Sequence, residues 1–384
     1  MSEAGLFLGL LLGVLAALKI AWTTRMTSLF IHGAGEGSKG GSDDPLPQLV
    51  SVVVCIRNGA QDWPHLWSAL CSQTYDSPFE VVVVDDGSTD ETPRLLAEAL
   101  ALESTIQLQV IRLEGSSPGK KDALACGVEA AQGDWLLFTD VDCIPASPRW
   151  IELMTAPAVK GAEAVLGISW PRVENPSNML SRLQILDAIM VARSYIGWTH
   201  KGYPYMGVGR NWSIKKERFP KGAGPDDLAS GDDDLAVQAL VRSGESHFAT
   251  VIERAGQADT RLPATWSGWA RQKRRHWTTA PHYARGDQWR LLQPKLINVA
   301  MVVLSVVVLI QGIQSGVLHN ALWIIGCAFG CSWLVEVRNF RFITKACQAP
   351  VSWWNCGWVL PMWSFWAACT AGTAMLSRTN RADW

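Results

Sequence analysis

Between residues 49 and 286, short β-branched runs alternate with helix-patterned stretches, and that alternation restricts the chain to few folds. Val50–Ile56 reads as a buried strand running into a turn at Asn58-Gly59. Trp63–Cys71 has helical spacing, and residues 79–84 form a second apolar strand followed directly by Asp85-Asp86-Gly87-Ser88. Residues 92–102 are predicted helical, 110–113 a third strand, 122–131 a third helix and 135–138 a fourth strand. Such alternation implies an α/β fold, a mostly parallel sheet with helices on both faces. Ligands of such sheets bind at the carboxyl ends of the strands, and the carboxylates of this chain stand at those ends.

Long apolar stretches flank this domain. Residues 5–22 are apolar apart from Lys19, and the basic residues Lys19 and Arg25 come late in or after the run. A signal peptide carries its positive charge before the apolar run, so this order favours a retained anchor with its C-terminal flank in the cytoplasm. Residues 296–313, 317–335 and 351–376 are each long enough to cross a hydrocarbon layer of ~30 Å. The loop after the second of these carries Arg338, Arg341 and Lys345, which the positive-inside rule places in the cytoplasm. The expected organisation is an anchor at 1–24, a flexible Gly/Ser/Pro-rich linker at 25–48, a catalytic domain at 49–290 and three membrane helices at 291–384. An integral, multi-pass membrane protein with a cytoplasmic catalytic domain follows. The 20 tryptophans fit interfacial or sugar-facing surfaces as well as cores. A formal net charge of -1 gives no global field for nucleic acid. The nine cysteines include no C-x-x-C pair and read as reduced and structural.

Four clusters carry candidate chemistry. Asp85 and Asp86 suit either turn formation or a hydrogen bond to a base or ribose at the sheet's switch point. Asp140-Val141-Asp142 leaves an apolar strand with two carboxylates at i and i+2, hard oxygen ligands suited to Mg²⁺ or Mn²⁺ on the phosphates of a nucleotide. Asp232, Asp233 and Asp234 precede a helix expected at residues 236–242; they suit its positive end or supply a general base for an acceptor hydroxyl. Gln272-Lys273-Arg274-Arg275-His276-Trp277 suits an interfacial amphipathic helix, and Arg275 can also neutralise a departing diphosphate.

In this order the four clusters resemble family 2 inverting glycosyltransferases, whose catalytic domain has the nucleotide-sugar-binding GT-A fold. The resemblance covers about residues 49–283, and the flanking spans look like those of membrane-bound members such as cellulose synthase and ceramide glucosyltransferase. It implies Asp86 at the base-contacting position, with Asp85 beside it, and Lys120 near the nucleotide. Asp140 and Asp142 match the D-x-D metal motif, with Asp140 also beside the donor, and Gln272 and Arg275 match the Q-x-x-R-W donor motif. The base is Asp233 or Asp232, according to register. His276 intervenes before Trp277, which leaves acceptor stacking open, and Arg210 stands in a Met206–Asn211 loop similar to one beside the acceptor. The implied activity is single-displacement transfer, with Mg²⁺ or Mn²⁺, from a nucleotide sugar, read as a UDP-sugar, to a lipid or glycan hydroxyl. Membrane lipids are the other expected partner. The alternative is a silent membrane scaffold, whose mark would be loss of a carboxylate cluster. A dinucleotide-binding oxidoreductase needs a G-x-G-x-x-G turn after the first strand, which Arg57-Asn58-Gly59-Ala60 lacks.

Overall fold

The computed structural model describes residues 3–32, 47–102, 106–114, 120–172, 175, 177–220, 231–244 and 246–349. The chain opens with a long helix, α1 (Glu3–His32), followed by the alternating unit. That unit comprises β1 (Val50–Ile56), α2 (Trp63–Cys71), β2 (Phe79–Asp86), α3 (Thr92–Ala101), β3 (Gln107–Leu113), α4 (Lys121–Ala130) and β4 (Trp135–Asp140). These four strands lie parallel in the order β3-β2-β1-β4. All seven residues of β1 are buried, as a central strand covered on both faces requires. Pro64 and Pro93 sit in the first turns of α2 and α3, where a missing N–H costs nothing.

After β4 the strands shorten: β5 (Cys143–Pro145), β6 (Ala164–Leu166), β7 (Ser169–Arg172), β8 (Trp212–Lys215), β9 (Phe248–Thr250) and β10 (Ala258–Arg261). The helices between them are α5 (Trp150–Thr155), α6 (Met179–His200) and α7 (Asp232–Arg242). β8 enters the main sheet antiparallel to β4 and β6, completing the order β3-β2-β1-β4-β8-β6-β9. A second sheet, β5-β10-β7, stands beside the end of β4. The sheet is thus mixed and mostly parallel.

Two cores sandwich the main sheet. One packs Val53, Val82 and Phe138 against Leu186, Ile189 and Leu235 of α6 and α7. The other packs Val52, Val54 and Val83 against Leu66, Leu70 and Leu96 of α2 and α3. At its far edge Ser51, Glu80 and Gly133 close a buried network: Ser51 Oγ donates to Glu80 Oε1 at 2.6 Å and accepts from the Gly133 N–H at 2.8 Å. A Cβ on Gly133 would stand 2.5 Å from the Leu49 carbonyl oxygen, so only glycine fits there.

The chain closes with α8 (Trp266–Trp277), α9 (Arg285–Gln314) and α10 (Leu318–Ala346). Among the described residues, α1, α9 and α10 are long and apolar enough to cross a membrane. A small core of Leu12, Ala16, Met301, Leu304 and Val308 joins them. The span expected at residues 351–376, and residues 33–46 of the expected linker, lie outside the described residues. Residues 25–32, expected in the linker, continue α1, because Met26 and Phe30 are buried. α9 starts before the expected boundary at 290. Buried polar contacts tie catalytic and apolar parts together. Arg193 of α6 pairs with Glu336 of α10 at 2.8 Å, and Gln257 Nε2 donates to the Cys347 carbonyl at 2.7 Å.

Candidate active site

Register brings the carboxylates to one edge. Ile56 at the end of β1 lies opposite Asp85, and Cys55 opposite Asp140, so β2 and β4 deliver acids on either side of β1. The acids Asp85 and Asp86 lie within β2, not after it as the turn reading had them. Their ladder to β3 continues through Asp85–Arg112 and Asp86–Leu113. Asp85 Oδ1 accepts from the Ser88 N–H at 3.0 Å, and Arg57 approaches Asp86 at 3.8 Å. Both are almost wholly buried.

Lys120, Asp140, Asp142, Arg210, Asp233, Gln272, Arg275 and Trp277 line one cavity of about 560 Å³. Asp85 and Asp86 are outside its lining, but Arg57 and Asn58 at the end of β1 are part of it. The Lys120 ammonium donates to Asp140 Oδ1 at 2.7 Å. Burial opposes the lysine's charge, yet Asp140, with Cys55 and Asp233 nearby, outweighs it and holds the ammonium well above its usual range. The Asp140 carboxyl is correspondingly lowered: burial opposes the charge, and Lys120, Arg210 and Arg275 overcome it. Asp142 moves the other way, raised by burial and by the neighbouring Asp140. Two crowded carboxylates, one resisting ionisation, form a donor set that a hard divalent cation fits and whose repulsion it would relieve. Among the described residues no group of three His, Cys, Asp or Glu side chains gathers around a metal. The protein's share of such a site would be these two carboxylates.

β10 fixes the second of them. The Arg261 N–H donates to the Asp142 carbonyl at 3.2 Å, and Thr260 Oγ1 stands 3.5 Å from its carboxylate. The Arg261 guanidinium reaches Asp62, just before α2, at 2.5 Å.

α7 begins at the three acids themselves, earlier than the helix expected at 236–242, because acids are favoured in a helix's first turn. Asp233 accepts from the Gly209 N–H, so the loop bearing Arg210 is pinned to the acidic turn. Asp234 accepts from the Tyr283 hydroxyl, whose phenol is pushed up by burial and by that carboxylate. The side chain of Asp232 lies outside the described residues. α8 is capped by Thr265, which accepts from the Gly268 N–H at 3.1 Å, and it projects Gln272, Arg275 and Trp277 into the cavity wall.

Sequence reasoning passed over Arg57, Thr260, Arg261 and Tyr283. None lies in a motif, and only the pairing of β10 with β5 brings Thr260 and Arg261 beside Asp142.

The family model described as "Glycosyl transferase family 2" matches residues 51–213, from β1 to β8. The segment from β1 to β8 is thus similar to glycosyl transferase family 2, over less than half of the chain. The glycosyltransferase AglE of Haloferax volcanii is 34% identical over 105 residues, which are 27% of this chain and 33% of that protein. The undecaprenyl-phosphate 4-deoxy-4-formamido-L-arabinose transferase of Aeromonas hydrophila is 32% identical over 121 residues, 31% of this chain and 36% of that protein. The matches thus span about a third of these relatives' length. Among solved structures, the mannosyltransferase PcManGT from Pyrobaculum calidifontis, in complex with GDP-Man and Mn²⁺, is similar over 96% of this chain and 93% of its own. Its TM-score is 0.46 at 18% identity.

Proposed function

We propose that the chain is a membrane-bound, metal-dependent, inverting glycosyltransferase that moves a sugar from a nucleotide sugar, in our reading a UDP-sugar, to a hydroxyl of a lipid or glycan acceptor. The observation that carries this reading is the joint presence of Asp140, Asp142, Asp233, Lys120 and Arg275 around one cavity of a family 2 domain. Mg²⁺ or Mn²⁺ held by Asp140 and Asp142 would bind the donor diphosphate and take up negative charge as it leaves.

The residues of the chain account for the rest. Asp86, beside Arg57, is set to meet the base or ribose, with Asp85 behind it. Arg275, with Gln272 next to it on the cavity wall, faces the diphosphate, and Lys120 holds Asp140 in place and adds positive charge. Asp233 takes the proton of the acceptor hydroxyl while its oxygen bonds to the anomeric carbon and the bond to the diphosphate breaks on the opposite face. Asp233 is the base in our reading: it lines the cavity and its charge reaches Lys120. Arg210 and Trp277 stand on the acceptor side.

A lipid acceptor is supported by the printed names of the undecaprenyl-phosphate transferases and by a cavity that continues to the apolar helices. Those helices support an integral membrane protein, and the basic residues Lys19, Arg25, Arg338, Arg341 and Lys345 are the ground for reading its catalytic domain as cytoplasmic.

Purified full-length protein in lipid nanodiscs, given Mn²⁺ and a panel of radiolabelled nucleotide sugars, should move label into the organic extract. Asp233→Asn should lower the rate by about 10²–10⁴-fold, the usual contribution of a general base. No labelled product with any donor, or full activity in the variant, would contradict the reading.

A further inference from the structure

The cavity has a second end. Beyond Arg275 and Trp277 it is lined by Lys19 and Trp22 of α1, Pro294 and Lys295 of α9, and Glu336 of α10. These residues share one level of the molecule. Exposed apolar side chains run from Leu6 to Leu18 on α1, from Leu296 to Ile313 on α9 and from Leu318 to Phe342 on α10. Lys19 directly follows the first girdle and Lys295 directly precedes the second, while Glu336 stands within the last two turns of the third. The girdle of α9 is about 27 Å long at 1.5 Å per residue, close to a hydrocarbon core. The far end of the cavity therefore opens at the level of lipid headgroups.

Charge at this end is unevenly matched. Lys273 pairs with Asp187, and Arg193 with Glu336 at 2.8 Å, so both carboxylates are already engaged. Lys19 feels the charge of Glu336 and Lys295 that of Asp187, but neither lysine makes a salt bridge among the described residues. The Lys295 ammonium lies 3.8 Å from the Trp277 ring centroid, which holds it on the cavity wall. The indole N–H of Trp22 is buried with no acceptor among the described residues. Pro294 cannot donate within α9, so the helix's own ladder is interrupted at the cavity wall. Two cations and a buried N–H donor at headgroup level call for an anion with several acceptor oxygens.

We infer that the acceptor is a lipid with a net anionic phosphate headgroup, its phosphate seated between Lys19, Trp22 and Lys295 and its hydroxyl directed toward Asp233. This rests on the glycosyl-transfer reading and adds the acceptor's class and its anchor. The phosphate stays bonded to the lipid throughout and is a handle, not the attacking group.

The test uses the full chain in a neutral detergent, titrated with dansyl-labelled phosphatidylglycerol and with dansyl-labelled phosphatidylcholine of the same chains, read by energy transfer from tryptophan. The anionic probe should bind about tenfold more tightly, as two basic side chains at a headgroup imply. Lys19→Gln with Lys295→Gln should bring the two probes within about twofold of each other, and Lys19→Arg with Lys295→Arg should keep the preference. Equal binding by the wild type, or an undiminished preference in the glutamine variant, would overturn the inference. Displacement by millimolar inorganic phosphate would overturn it too, by showing a site for free anions. Mn²⁺-dependent binding of UDP or GDP to the wild type reports separately on the transferase reading. Its absence beside a clear lipid preference would remove the acceptor role and leave a lipid site.

Discussion

Asn211 shows how single side chains hold the site in place. It is wholly buried, accepts from the Trp150 indole at 2.9 Å, and donates to the carbonyls of Ile168 at 2.8 Å and Gly256 at 3.0 Å. It therefore locks the residue after Arg210 to α5 and to the approach of β10. Asn211→Ala should cost about 3 kcal/mol, because buried donors and acceptors lose their partners, and thermal unfolding would show it as a lowered Tm. Tyr283→Phe removes one hydrogen bond from Asp234 and should cost about 1–3 kcal/mol, with a loss of transfer rate if the acidic turn shifts. Unchanged stability in either variant would count against these roles. The D-x-D pair was legible in the sequence because the spacing of two acids after an apolar strand is local. The Asp233–Gly209 and Asp142–Thr260 contacts were not, because they join residues far apart in the chain and depend on how short strands pair.

The elements sort in the same way. β1 and β2 were readable because parallel strands buried on both faces are continuous β-branched runs, and β4 because it is an equally buried apolar run. β3, a partly exposed edge strand, was read only over residues 110–113. β5 to β10 were not read, since β5, β6 and β9 have three residues and β7, β8 and β10 four, too few for a period to show. α6 was missed because it is buried on most sides, Leu183, Leu186, Ile189 and Ile196 among others, so its hydrophobicity has no single face. α6 also carries the Arg193–Glu336 pair that docks the catalytic domain on α10. Glu336→Gln strips the charge opposing a buried guanidinium and should destabilise the protein by about 3 kcal/mol. Replacing both residues with Met should cost much less. Heat-induced loss of the monodisperse peak in detergent, compared across the wild type, Arg193→Met, Glu336→Met and the double variant, would measure that coupling; additive effects would mean that the pair does not join the two parts.

At the scale of the whole molecule, the catalytic edge of the sheet and the rim of the apolar helices face each other across one cavity. A soluble donor can then reach the acids from one side and an amphiphile from the other. The protein should stay with membranes through an alkaline carbonate wash; release into the supernatant would contradict the spans read from α1, α9 and α10. In the proposed reaction Asp140 and Asp142 act through a divalent cation on a nucleotide diphosphate. Equilibrium binding of UDP and GDP to the full chain, with and without Mn²⁺, tests this most directly in the wild type and in Asp142→Asn. Binding should require Mn²⁺ and weaken by at least about tenfold in the variant, equivalent to 1.4 kcal/mol. Binding that ignores Mn²⁺, or that Asp142→Asn leaves intact, would contradict it.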